Sequence, residues 1–125
     1  MNKPSENLRR ALRFLNTHHI CRNGTFGTNV RGGCFLTPQA TQACPEEDVY
    51  SVCAIGALAR FVSHRHSPWS TSEGMLLDRA AKEYSKDNQI GYGVITSIND
   101  NLGKNAVRWI YKRAIELAEA NERSS

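Results

Sequence analysis

The stretch 104–118 most constrains what this chain can become. Val107, Ile110, Tyr111, Ala114, Leu117 and Ala118 keep the 3, 4, 3 spacing of one helix face for over three turns. That spacing predicts a helix beginning near Lys104 or Asn105. Its apolar stripe has to be covered by other elements, so the segment implies a helical core around it.

Two further segments show the same period. Leu8, Ala11, Leu12 and Leu15 alternate with Arg9, Arg10, Arg13 and Asn16, which predicts a helix capped by Ser5 and running to about His18. Ser70-Thr71-Ser72-Glu73 matches the capping box, in which a hydroxyl and a carboxylate satisfy backbone donors reciprocally, and Leu76, Leu77, Ala80, Ala81 and Tyr84 follow as a buried side. A fourth helix is expected from Pro45, suited to a first turn, through the stripe Val49, Val52, Cys53, Gly56, Ala57 and Phe61. The acids Glu46, Glu47 and Asp48 would complement its dipole. Its small residues, Cys53, Ala54, Gly56, Ala57 and Ala59, would let a neighbouring helix approach closely. Residues 91–98 read as a short helix in preference to a strand, Asn99-Asp100-Asn101 as a turn or cap cluster, and 119–125 as a frayed tail.

Between the first two helices the period disappears. Gly24, Gly27, Gly32 and Gly33 are spread through residues 20–44, which reads as a long glycine-rich loop with room for a small hairpin turning at Arg31-Gly32-Gly33. The expected fold is therefore mainly α: one compact domain, 1–125, of four to five helices with this loop after the first. At 125 residues such a chain can bury roughly two thirds of the surface an unfolded chain exposes. With 40% hydrophobic and 22% charged residues, neither disorder nor a disulfide-dependent miniprotein is indicated.

No apolar run reaches the ~20 residues of a membrane helix, and Met1-Asn2-Lys3-Pro4-Ser5-Glu6 leads into a charged helix without a signal-peptide core. The expectation is a cytoplasmic protein whose four cysteines, Cys21, Cys34, Cys44 and Cys53, are reduced thiols. Sixteen Lys and Arg against twelve Asp and Glu leave a net charge of +4. Residues 1–35 hold Lys3, Arg9, Arg10, Arg13, Arg22 and Arg31 against the single acid Glu6, so an anionic partner would meet this third of the chain.

Specific chemistry is sparse. Cys53 lies on an apolar stripe one turn beyond three acids, surroundings that disfavour a thiolate, and reads as packing. Cysteine spacings of 13, 10 and 9, with His18-His19 and His64-Arg65-His66, lack the close Cys pairs of structural zinc sites, so no metal or cofactor is expected. The most suggestive segment is the loop. Its glycines expose backbone N–H groups, Asn23, Thr25, Thr28 and Asn29 add hydrogen-bonding groups, and Arg22 and Arg31 can pair with phosphate or carboxylate. Arg9 and Arg13 would extend this face, and Asn99 and Asp100 supply a further polar cluster.

The order of motifs also resembles a known family. A short N-terminal helix, a glycine-containing polar loop, Cys53-Ala54-Ile55-Gly56-Ala57-Leu58 on a central helix, Ile98-Asn99-Asp100, and a final Arg113-Ala114-Ile115-Glu116-Leu117-Ala118 are similar to the bacterial and phage domain-of-unknown-function family 6197. Members typically carry Trp where this chain has Cys21 and Ser97-Ile98. The resemblance implies a small helical accessory protein of bacteria or their viruses and no catalytic residues. Together these readings favour a non-enzymatic binding protein of a phage or mobile element, an anti-defence inhibitor among the options. It would capture an anionic nucleotide-like ligand or an acidic host protein surface. Two alternatives stand beside it: a small hydrolase or transferase using Cys53 or Asp100, and a nucleic-acid-binding regulator using the N-terminal arginines.

Overall fold

The computed structural model describes residues 2–22, 25–63 and 67–124. Asn23 and Gly24 of the glycine loop, and His64 and His66, considered above as metal ligands, lie outside the described residues. Six helices and a small mixed sheet follow in the order α1 (Pro4–Thr17), β1 (His19–Ile20), β2 (Gly27–Asn29), β3 (Cys34–Phe35), α2 (Pro38–Ala43), β4 (Val49–Val52), α3 (Ala54–Ala59), α4 (Ser72–Asp87), α5 (Ile95–Leu102) and α6 (Lys104–Arg123). No described helix is long and apolar enough to cross a membrane.

The closing helix α6 has the stripe its spacing demands. Val107, Ile110, Tyr111 and Ala114 are fully buried where α6 packs on α1, α4 and α5. Leu8, Ala11 and Leu15 of α1, Ile55, Ala57 and Leu58 of α3, Leu77, Ala80 and Ala81 of α4 and Ile98 of α5 complete one continuous core. α1 and α6 run antiparallel. Ser5 is not the N-cap of α1, which is Lys3 with Pro4 in the first turn. Instead the Ser5 backbone N–H and hydroxyl donate to the Glu122 carboxylate at 3.1 and 2.7 Å, so α6 caps α1 from across the seam. This contact and the Arg9–Glu119 ion pair hold 119–123 helical, where the sequence read as a frayed tail.

The expected helix over 45–61 is the main correction. Glu46–Asp48 form a 3-10 turn, Val49–Val52 a strand, and only Ala54–Ala59 a helix. The apolar spacing fits a helix, but Val49-Tyr50-Ser51-Val52 are mostly β-branched or aromatic, and β4 gains backbone partners on both sides. It pairs in parallel with β1 (His19↔Ser51, Ile20↔Val52) and antiparallel with β2 (Gly27↔Val52, Thr28↔Ser51), in the sheet order β1-β4-β2-β3. The hairpin between β2 and β3 turns at Arg31-Gly32-Gly33, with Gly32 at φ +89°. The stretch 20–44 is thus three short strands and α2 rather than a loop. Thr37 caps α2, accepting from Ala40 N–H at 3.1 Å, with Pro38 following it.

Two smaller corrections concern caps. The helix predicted at the capping box starts from Thr71, which accepts from Gly74 N–H at 3.0 Å, while Glu73 is buried and accepts from the Asn7 amide at 2.6 Å. Asn99, Asp100 and Asn101 are not a turn capping the last helix; they lie inside α5, and Gly103 (φ +83°) stands between α5 and α6. Nor is the close neighbour of α3's small residues simply another helix. A Cβ at Gly56 would overlap the Phe26 carbonyl oxygen, so it is the backbone leading into β2 that comes against α3 there. Gly56→Ala should therefore destabilise the fold by about 3 kcal/mol. Gly91→Ala, whose Cβ meets open space, should change the midpoint of thermal or urea unfolding hardly at all.

Candidate functional site

At the turn from β4 into α3 the buried side chains of Asn99 and Tyr111 meet the backbone. Cys53 is the N-cap of α3, its sulfur accepting from Gly56 N–H at 3.2 Å, and its own N–H donates to Phe26 carbonyl at 3.0 Å. Asn99, fully buried, reaches this turn from α5. Its Oδ1 accepts from Ala54 N–H at 3.0 Å, and its Nδ2 donates to the Cys21 carbonyl at 2.8 Å and to the Asp100 carboxylate at 3.1 Å. From α6, Tyr111 hydroxyl donates to the Ala54 carbonyl at 2.6 Å.

Above these groups lies a cleft of about 100 Å³, lined by Thr25, Phe26, Cys53, Ala54, Ile55, Trp69, Thr96, Asn99 and Asp100. Thr96, Asn99 and Asp100 share one face of α5, at positions i, i+3 and i+4. Trp69 comes from the Pro68–Ser70 turn, 41% exposed, with its ring centroid 6.1 Å from that of Phe26. The cleft is small against the ~300–1,000 Å³ of drug-sized sites, so it suits one ring or one side chain. Apolar walls, two threonine hydroxyls and a carboxylate suit a planar group carrying N–H donors.

The sequence-predicted residues divide into three places. Arg22, Thr25, Asn99 and Asp100 lie at the C-terminal end of β4: Cys21 N–H donates to Val52 carbonyl, and an Arg22 guanidinium nitrogen occupies the space a Cβ at Gly103 would need. Thr28, Asn29 and Arg31 lie toward the other end. Thr28 hydroxyl bonds that of Ser51 at 2.7 Å, Asn29 Oδ1 accepts from Arg31 and Gly33 N–H at 2.9 Å each, and Val30 N–H donates to Asp48 carbonyl. The hairpin thus uses the polar atoms of Asn29 for its own turn. Arg9 and Arg13 are on α1, the first paired with Glu119 and the second lining a groove with Arg10, Phe14, Thr17, Glu46 and Phe61. The expected single face with Arg22 and Arg31 together is not what the fold builds. Parallel β1 carries Arg22 to one end of β4, and the antiparallel hairpin carries Arg31 to the other. Asn23 is outside the described residues.

Sequence reasoning passed over Phe26, Trp69 and Thr96. A tryptophan after Ser67-Pro68 is the one signal that pointed to a fixed aromatic wall, since that pair starts a turn. The four cysteines are unpaired. Among the described residues no three or more His, Cys, Asp or Glu side chains stand close enough to hold a metal ion. Burial pushes the Cys53 thiol up to about 11; the Gly56 and Ile55 N–H groups pull the other way, and Cys21 and Asp100 add to the rise. At neutral pH this sulfur is a thiol, the opposite of what nucleophilic catalysis needs. No family model matches the chain, and no curated protein or solved structure matches it significantly.

A thiol raised from 9.0 to about 11 in the folded chain stabilises the fold below pH 9, and that contribution is lost as pH rises toward 11. Unfolding measured across pH 8–11 should show this fall, up to about 2 kcal/mol, flattened in Cys53→Ser, where a hydroxyl keeps the cap without titrating. An equally steep fall in the variant would place the titration elsewhere.

Proposed function

We propose that this chain is a binding protein whose cleft at the C-terminal end of β4 takes the base of a nucleotide-like ligand, with Arg22 at its edge meeting the phosphate. The composition of the cleft carries this reading. Trp69 and Phe26 offer ring surface, Thr25 and Thr96 offer hydroxyls, and Asp100 is an acceptor for the N–H groups on a base edge. Arg22 gives a planar, bidentate donor suited to phosphate. The raised thiol of Cys53 favours binding over covalent chemistry. A phage or mobile-element role acting on host machinery is part of the same proposal and rests on the motif resemblance alone.

The four nucleoside monophosphates, titrated one at a time, test the reading. At least one should raise the melting temperature by mass action and move the NMR signals of Trp69 and Thr96. Asp100→Asn should weaken that ligand about tenfold or more, because a charged acceptor is lost. If all four leave both signals in place, the cleft is not a nucleotide site.

A further inference from the structure

Residues 7–45 and residues 101–115 contain no acid. The fold lays the helical part of the first against the second. α1 and α6 are antiparallel, with Ser5 opposite Glu122, Arg9 opposite Glu119, and the His18 carbonyl accepting from Lys104 Nζ at 2.8 Å. Lys104, Glu119 and Glu122 define the stripe of α6 that borders α1, and Arg108 and Lys112 fall on it at steps of four residues. The acids are at one end of this seam and the cations at the other. Arg9 and Arg113 are ion-paired with Glu119 and with Glu83 and Glu116. Among the described residues Arg22, Lys104, Arg108 and Lys112 make no ion pair.

This cationic end leads to the cleft. Lys112, Arg108 and Lys104 follow one another about 6 Å apart along the helix axis. Lys104 adjoins Gly103, where the Arg22 guanidinium lies, and Gly103 closes the helix that carries Thr96, Asn99 and Asp100. A row of cations ending at an aromatic recess is how proteins hold an unpaired strand: charge tracks the backbone and a ring surface takes a base. A duplex would keep its base edges paired and out of such a recess.

We propose that the α1–α6 seam binds the backbone of a single-stranded nucleic acid, one base of which enters the cleft. The proposal rests on the nucleotide reading of the cleft and extends it from a mononucleotide to a strand. An acidic protein surface would satisfy the cations but leave the recess unused.

The test compares a fluorescein-labelled 12-nucleotide single strand of mixed sequence with the best-binding nucleoside monophosphate. The strand should bind at least 30-fold tighter, and with about four phosphate contacts its affinity should fall roughly 50-fold between 50 and 200 mM salt. Arg108→Glu with Lys112→Glu should cost the strand at least tenfold while leaving melting temperature and monophosphate affinity unchanged. Lys112→Glu alone, at an exposed position, should show a smaller loss and serves if the double variant unfolds. A strand no tighter than the monophosphate overturns the seam and leaves the cleft standing; no binding of either overturns both. Equal binding of a 12-base-pair duplex or of polyglutamate, or undiminished strand binding in the variants, also overturns the proposal.

Discussion

The fold depends on how Ala54 is held. Its N–H donates to Asn99 and its carbonyl accepts from Tyr111, groups 45 and 57 residues further along the chain. Both side chains are buried, where an unpaired amide or hydroxyl would cost about 1–3 kcal/mol, so each is tied to this one residue. Burial also holds the Tyr111 hydroxyl well above its ordinary pKa, which keeps it a donor. With Asn99 Nδ2 reaching the Cys21 carbonyl, three segments meet at the β4–α3 turn: the end of β1, the start of α3 and the face of α5. The cleft exists because this junction leaves a recess between elements that are each fixed by another.

The same junction explains what was legible. Long helices with one partner face, α1, α4 and α6, declare themselves by period alone, because their stripes answer to a single core. The segment 45–61 does not. Over four residues, Val49 to Val52, the two buried valines stand three apart as on a helix face, and the extended form is chosen because β1 and β2 are there to pair. Those partners lie in a stretch rich in glycine, where each strand is only two or three residues long and leaves almost no alternation to read. Thr37-Pro38 was a legible helix start, overlooked because the surrounding glycines suggested loop throughout.

The site was legible by residue type and not by arrangement. Asn99 and Asp100 stood out as a polar cluster, but a cluster of Asx residues reads as a cap until a buried partner is known, and the partner of Asn99 is a backbone amide 45 residues away. Arg22 and Arg31 look equivalent along the chain. They separate because one follows a strand parallel to β4 and the other sits on a hairpin antiparallel to it. Strand direction is a tertiary fact that nine residues of spacing do not contain.

Gly103 joins the two halves of the functional reading. Its φ of +83° lets α5 end and α6 begin without a linker, and its missing Cβ is what admits the Arg22 guanidinium. α5 fixes the Asn99 and Asp100 face toward the recess, and α6 fixes the line of Lys104, Arg108 and Lys112 along α1. The angle between the recess and the cationic row is therefore set at a single residue. Arg22, lying over that residue, comes from the β1–β2 connection, whereas Lys104, Arg108 and Lys112 come from α6. Any ligand that engages both the cleft and the row has to pass it, which makes this joint, rather than the tip of the glycine hairpin, the centre of the charged surface.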